Sequence, residues 1–399
     1  MNKKSKVPKL RFPEFADDWE QRKLGDYIIE YKEVTTQNDQ YPPLTSSRRG
    51  IFLQTEYFDG NQIASKDNVG YNIVPYGYFT YRHMSDDDIF HFNINTIVEN
   101  GIVSTLYPVF TTNNELDSKY LQYQLNYGHE FAKYAIMQKQ GGSRTYMYLN
   151  KLKQLYITMP LSVDEQKKIS FFFSKLDDLI TLHQRKLDNL KNIKKSMLQK
   201  LFPKKGEKHP EVRFKGFTGD WEQRELGDVF KEYSEKNHLE LPPLTIIQGK
   251  GTILREESDR NLQYDKANLA GYKLVRKNDL IVHLRSFEGG LERANTDGIV
   301  SPAYHMFHGD NTDTRFYYPF FRSKRFIDSL LKPHVYGIRD GKSIDIEGMK
   351  TIIIPVPSYE EQRRIGDFIE SMDNLITLHQ RKLDNLKNIK KVFLQQMFA

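Results

Sequence analysis

The chain is 399 residues long, enough for two domains with their own cores, and it has no cysteine, which excludes disulfides, thiolate zinc sites and thiol nucleophiles. No apolar run approaches the ~20 residues of a membrane span, and no apolar stretch follows the basic MNKKSKVPKLRF, so neither a membrane span nor a signal peptide is expected and the cytoplasm is the default compartment. The formal net charge of +7 points towards phosphate, because Lys and Arg bind it and release its counterions.

Arg11 to Asp26 reads RFPEFADDWEQRKLGD, and Arg213 to Asp228 reads RFKGFTGDWEQRELGD. The only two tryptophans, Trp19 and Trp221, fall at the same place in this repeated opening motif. A body follows each copy. The first carries strand signals at Gly77–Arg82 and Thr96–Phe110, and the second at Asp279–Arg285 and Gly298–Phe307, where β-branched or aromatic residues alternate with polar ones. One helix per body is predicted, over Ser118–Met137 and Arg315–Lys332. The bodies differ in most places, yet Pro42-Pro43-Leu44-Thr45 is echoed by Pro242-Pro243-Leu244-Thr245, and Gly101-Ile102-Val103-Ser104 by Gly298-Ile299-Val300-Ser301. Each body closes with a short apolar strand, Leu155–Pro160 and Ile352–Pro357. Ser162 and Ser358 then stand as N-caps, with Glu165 and Glu361 three residues on, the spacing of a capping box.

The strongest signal is the next one. Leu179 to Lys195 reads LITLHQRKLDNLKNIKK, and Leu375 to Lys391 reads the same letter for letter. Ile169, Phe173, Leu176, Ile180, His183, Leu187 and Leu190 recur at alternating steps of four and three, as do Ile365, Ile369, Met372, Ile376, His379, Leu383 and Leu386. That is the seam of a coiled coil, and two such helices in one chain pack most simply on each other. His183 and His379 are polar breaks in the seam, placed to meet if the helices run antiparallel. Lys191, Lys194, Lys195 and their copies form either a solvated face or a set of phosphate contacts. A polar, basic linker, Pro203–Pro210, separates the halves. The order is thus a first body with its opening motif (1–160), a long helix (161–203), a second body with its opening motif (204–356), and a second long helix (357–399). The fold expected is α+β: two similar mixed domains in a pseudo-two-fold arrangement, joined by an antiparallel coiled coil.

No catalytic constellation appears. The Pro-Pro turns lack the amide and aromatic of an adenine methyltransferase motif, no phosphate-binding Gly-rich loop is present, and His83, His91, His305 and His308 form no ligand set. No catalytic, cofactor-binding or metal-binding residue is assigned to this chain.

The paired W-E-Q-R-K/E-L-G-D motifs, the strands ending in ITMP and IPVP, the E-Q-x-x-I helix starts and the duplicated helix together resemble the specificity subunit of type I restriction–modification systems, over nearly the whole chain. The resemblance implies a non-catalytic reader. Its partners would be double-stranded DNA with a bipartite target, two methyltransferase subunits and two restriction–translocase subunits, with no membrane. It implies S-adenosylmethionine, ATP and magnesium, all used by the other chains. Each body would be a target recognition domain for one half-site, and the helices, roughly 55 Å long at 1.5 Å per residue, would set the gap and dock the methyltransferases. The alternative is a coiled-coil scaffold with two protein-binding domains and no DNA role; the duplicated basic tracts argue against it.

Base reading needs exposed side chains with paired donors or acceptors. In the first body these are Ser46, Ser47, Arg48 and Arg49 after the Pro-Pro turn, Tyr81, Arg82 and His83 at a strand end, and Gln138, Lys139, Gln140, Ser143, Arg144 and Tyr146 in a donor-rich tract. In the second they are Gln248 and Lys250, then His283, Arg285 and Ser286, then Tyr336, Arg339, Lys342 and Ser343.

Overall fold

The computed structural model describes residues 7–139, 143–258, 266–337 and 342–398, and divides into two units: Met1–His183 with Lys382–Ala399, and Gln184–Arg381. The opening motif is a strand in both. Glu20–Lys23 pairs antiparallel with the closing strand Tyr156–Met159, and Glu222–Glu225 with Ile353–Val356. This pairing ties the two ends of each body together. Leu24 N donates to Leu155 O and Leu226 N to Ile352 O, both at 2.8 Å.

Each body repeats one four-stranded antiparallel sheet. The strand order is Ile28–Glu30, Val109–Thr112, Phe79–Thr80, Asn93–Ile94 in the first unit, and Lys231–Tyr233, His305–His308, Leu280–Val282, Glu292–Arg293 in the second. The core packed against each sheet is aromatic. In the first unit Phe79 stacks on Phe110 with ring centroids 4.6 Å apart, and in the second Tyr317 and Phe321 crowd Phe230. Burial of such large rings, each worth about 3–5 kcal/mol against alanine, is what holds a body this polar together.

The surviving echoes between the bodies meet in space. Pro43 bridges Ile102 and Pro243 bridges Ile299; Ile102 N donates to Pro42 O and Ile299 N to Pro242 O. A Cβ on Gly101 or Gly298 would collide with the side chain of Leu44 or Leu244. The two motifs therefore have to match each other, which accounts for their reappearance together.

Ser162 and Ser358 do cap the long helices, each accepting from the N–H three residues on at 3.4 Å. The glutamates do not complete a capping box. Glu165 is buried and turns to the opening motif, where Arg11 holds it with two hydrogen bonds of 2.6 and 2.7 Å and Trp19 Nε1 donates at 3.1 Å. Glu361 takes the same three bonds from Arg213 and Trp221 at the same distances. A charged partner out of water outbids a backbone N–H at a solvated helix end. The neighbouring glutamines finish the joint: Gln166 accepts from Asp117 N and donates to Pro160 O, and Gln362 accepts from Asp313 N and donates to Pro357 O.

The long helices are Val163–Lys200 and Tyr359–Met397. Every seam position read from the heptads is buried or half-buried. Within the first unit Phe172 meets Phe393, Phe173 meets Phe398, and Asp177 pairs with Lys390, so the helix segments run antiparallel. Within the second, Lys194 pairs with Asp373, and Leu198 and Ile369 line one cleft, again antiparallel. His183 belongs to the first unit and His379 to the second.

Both body helices are broken, against the single helices expected. In the first unit Ser118–Tyr127 and His129–Met137 are separated by Gly128, whose extended backbone (φ −72°, ψ 139°) leaves no room for a Cβ beside Gln124 O. In the second, Thr314–Phe321 contains Pro319 and gives way to a π-helical turn, Arg325–Leu331, and a 3-10 turn, Lys332–His334. Proline removes a backbone donor and crowds the preceding turn. The two long strands expected at Thr96–Phe110 and Gly298–Phe307 are each two strands around a turn, Asn100–Val103 with Val109–Thr112 and Gly298–Val300 with His305–His308.

Candidate nucleic-acid interface

In the first unit two of the three tracts converge on one acidic run, Asp86–Asp88. Arg48 sits in the turn between strands Leu44–Ser47 and Gly50–Leu53 and pairs with Asp87. Lys139 pairs with Asp88 at 3.2 Å, and Arg144 with Asp86 at 2.7 Å. All three cations are exposed; Arg48 comes from one stretch of chain, and Lys139 and Arg144 come from another about 90 residues on. Hydrogen bonds from Arg48 and then Ser85 hold the Asp87 carboxyl down at about 2, and those from Thr145 and then Lys139 lower that of Asp88. The carboxylates hold the cations in place without burying them, so a phosphate can exchange for a carboxylate at each. Asp86, Asp87 and Asp88 are the residues that sequence reasoning missed. An acidic run is no sign of DNA binding by itself, and only the fold shows what it organises.

Other candidates in this unit divide by burial. Arg82, Ser143 and Tyr146 are exposed and Gln138 is half-buried. Arg49 lies over the rings of Phe52 and Tyr57. Ser46, Tyr81 and His83 are not on the surface. Ser46 Oγ donates to Thr80 O, Tyr81 OH donates to Met147 O, and His83 stacks on Tyr148 with its Nδ1 against Leu106 O. Ser46 lies on the inward face of its strand, where alternation puts every second residue, while Tyr81 and His83 lie between the strands Phe79–Thr80 and Met84–Ser85 and are held inward by these bonds. Ser47 Oγ donates to Gly50 O and accepts from Arg49 N, which fixes the turn. Gln140 lies outside the described residues.

In the second unit the tracts gather round the helical turn Ser286–Gly289. Gln248 is exposed and lies so close to Gly289 that a Cβ there would strike its amide. Tyr336 and Ser343 face each other across a two-stranded hairpin, and Lys342 sits over the Phe287 ring at 5.8 Å. Arg285, Lys250, Tyr336, Lys342 and Ser343 are exposed. Ser286 is buried, its Oγ accepting from His283 N, and so serves the turn rather than a ligand. His283 is half-buried; burial and then the Arg322 charge lower its pKa to about 4, so it is neutral near pH 7. Arg339 lies outside the described residues.

The turn that follows the Pro-Pro segment is pinned from the same strand in both units. Asn93 Nδ2 donates to Ser46 Oγ and Ser47 O. At the matching strand of the second unit, Glu292 is fully buried and accepts from Gly249 N at 2.7 Å, Gly251 N at 3.1 Å and Tyr318 OH at 2.6 Å, with Arg322 against it. Gly249 needs its positive φ of 82° for this. A turn held in this way loses little freedom on binding.

Lys194 and Lys390 are seam cations, paired with Asp373 and Asp177; Lys390 also lies over Tyr123 and Tyr127. Lys191 and Lys195 and their copies Lys387 and Lys391 remain exposed. Among the described residues no group of three or more His, Asp or Glu is placed to hold a metal ion, and no helix is long and apolar enough to cross a membrane.

A family model described as the type I restriction modification DNA specificity domain matches residues 16–192 and again 218–388. The MjaVIII type I restriction enzyme specificity subunit of Methanocaldococcus jannaschii is 27% identical over 414 residues, covering 96% of this chain and 92% of its own. The putative MjaX specificity subunit of the same organism is 23% identical over 421 residues, covering 98% and 95%. Among solved structures, the type I restriction–modification S subunit from M. genitalium shares the fold with a TM-score of 0.60 at 14% identity, over 98% of this chain and 99% of that one.

Proposed function

The chain belongs to the type I restriction modification DNA specificity family, and on that footing we propose that it is the DNA-reading subunit of a restriction–modification complex, each unit reading one half of a bipartite target in double-stranded DNA. The observation that supports this most is convergence. Tracts chosen for their donors, far apart in sequence, come together once in each unit and leave Arg48, Lys139, Arg144, Arg285 and Lys342 exposed. Phosphate contacts of this kind fix position, and the neighbouring amides and guanidinium groups read base edges.

The helices would set the unread gap and carry the methyltransferase subunits. Leu179, Leu182 and Ile193 are each 43–51% exposed, and their copies Leu375, Leu378 and Ile389 are 42–45% exposed. Apolar residues kept out of the seam in an identical repeat suit one partner protein bound twice. Two such methyltransferases and two restriction–translocase subunits would supply all the chemistry. S-adenosylmethionine, ATP and magnesium would be bound by those chains, in the cytoplasm.

The test is a genome-wide map of methylated adenine after co-expression with the cognate methyltransferase in a methylation-free host. A new motif of two short half-sites round a fixed gap is expected. An assembled complex that adds no motif would remove the reading role and leave the scaffold.

A further inference from the structure

The second unit holds a cleft that the first lacks in this form. Its volume is about 1220 Å³, and it lies between the C-terminal part of the first long helix, the body helix Thr314–Phe321 and the turn Gly249–Lys250. The matching position of the first unit, lined by the copies Lys387, Lys390 and Lys391, encloses only about 380 Å³. The cause is local. In the first unit Tyr123 donates to Asp177 at 2.7 Å, and Lys390 covers the rings of Tyr123 and Tyr127. At the corresponding positions, 196 residues on, the second unit has Pro319 and Ser323, which are too small to fill the space.

The opened wall is basic. Lys191, Lys195, Lys205, Lys250 and Lys324 line the cleft, are exposed, and have no carboxylate within ion-pair distance among the described residues. The one acid in the lining, Asp373, is already paired with Lys194. Lys324 stands where the first unit has Gly128. Five unpaired cations facing one space repel each other, and a polyanion relieves that repulsion. The cleft also runs on from a candidate reading turn, since Gly249 and Lys250 belong to both.

We propose that this cleft is a track for the DNA backbone beside the half-site that the second unit reads, so that the two units grip their half-sites with unequal numbers of phosphates. This rests on the DNA-reading role proposed above. An acidic protein segment is the rival occupant; continuity with the reading turn favours nucleic acid.

The test uses the full chain assembled with its methyltransferase, and a duplex carrying the target mapped above. Affinity is followed against salt by fluorescence anisotropy for the wild type, for Lys205→Gln with Lys324→Gln, and for Lys205→Arg with Lys324→Arg. The glutamine pair should bind target and random duplexes more weakly by the same factor, and its slope of log affinity on log salt should shrink by about 1 per lysine removed. The arginine pair should keep the wild-type slope. Hydroxyl-radical footprinting should show protection lost only beside the second half-site. An unchanged slope and footprint in a complex that still discriminates its target would overturn the track while leaving the reading role intact. A glutamine pair that fails to assemble with the methyltransferase, at unchanged DNA slope, would assign the cleft to an acidic protein segment and equally overturn it.

Discussion

Glu165 and Glu361 sit at the one point in each unit where opening motif, closing strand and long helix meet, and both carboxylates are about 1% exposed. Replacing Glu165 with Gln leaves Arg11 facing a neutral group in a half-dry site, and removing one partner of such a pair costs about 3 kcal/mol. A urea midpoint should report it, whereas Ser162→Ala at the same helix start should cost only about 1 kcal/mol. Equal effects would mean that the capping bond, not the ion pair, holds the helix. The spacing from Ser162 to Glu165 was legible as a cap; the partner 154 residues away in Arg11 was not, because a local pattern cannot reveal what the fold brings to it. The same limit explains Ser46, Tyr81, His83 and Ser286. Their types suit base reading, but strand alternation turns Ser46 inward, the turn claims Ser286, and backbone carbonyls of Met147 and Leu106 claim Tyr81 and His83. For the exposed Arg285, alanine should cost about 1–3 kcal/mol of target affinity and relax one base position. Tyr81→Phe should leave DNA affinity unchanged and lower stability by about 1 kcal/mol, since it only strips a buried hydroxyl from Met147 O. Loss of base preference in Tyr81→Phe, or none in Arg285→Ala, would reverse those two assignments.

The long helices were the most legible elements, because a heptad seam is a regular pattern over many turns. Lys194 and Lys390, expected on a solvated face or at phosphates, instead pair across the helices. Lys194 with Asp373 and Lys390 with Asp177 are interhelical pairs of one kind, repeated in the two units. Reversing one charge, Asp373→Lys, sets two cations together and should lower the melting temperature; adding Lys194→Glu should restore most of it. Both sites are partly solvated, so the swing should be about 1 kcal/mol. A double variant no better than the single one would show that the pair sets no register. The body helices were legible as helix and not as broken helix. Gly128 and Pro319 are themselves helix-interrupting residues, but where each helix broke depended on the packing of Gln124 and of the π-helical turn.

Across the whole molecule the repeated parts are those that touch one another. The opening motif meets the E-Q helix start, the Pro-Pro turn meets the Gly-Ile-Val strand, and the strand carrying Asn93 or Glu292 pins the candidate turn at 47–50 or 248–251. What differs lies in the turns and in the Tyr123-to-Pro319 exchange that opens the cleft. A frame that is constant and readers that are not should be separable. The most direct measurement is therefore an exchange: residues 27–155 replaced by the corresponding body of a relative with a different target, the assembled complex expressed in a methylation-free host, and methylated adenines mapped. One half-site should change while the other half-site and the gap between them stay as they were. A change in both half-sites, or in neither, from an assembled complex would contradict two independent readers on a common frame.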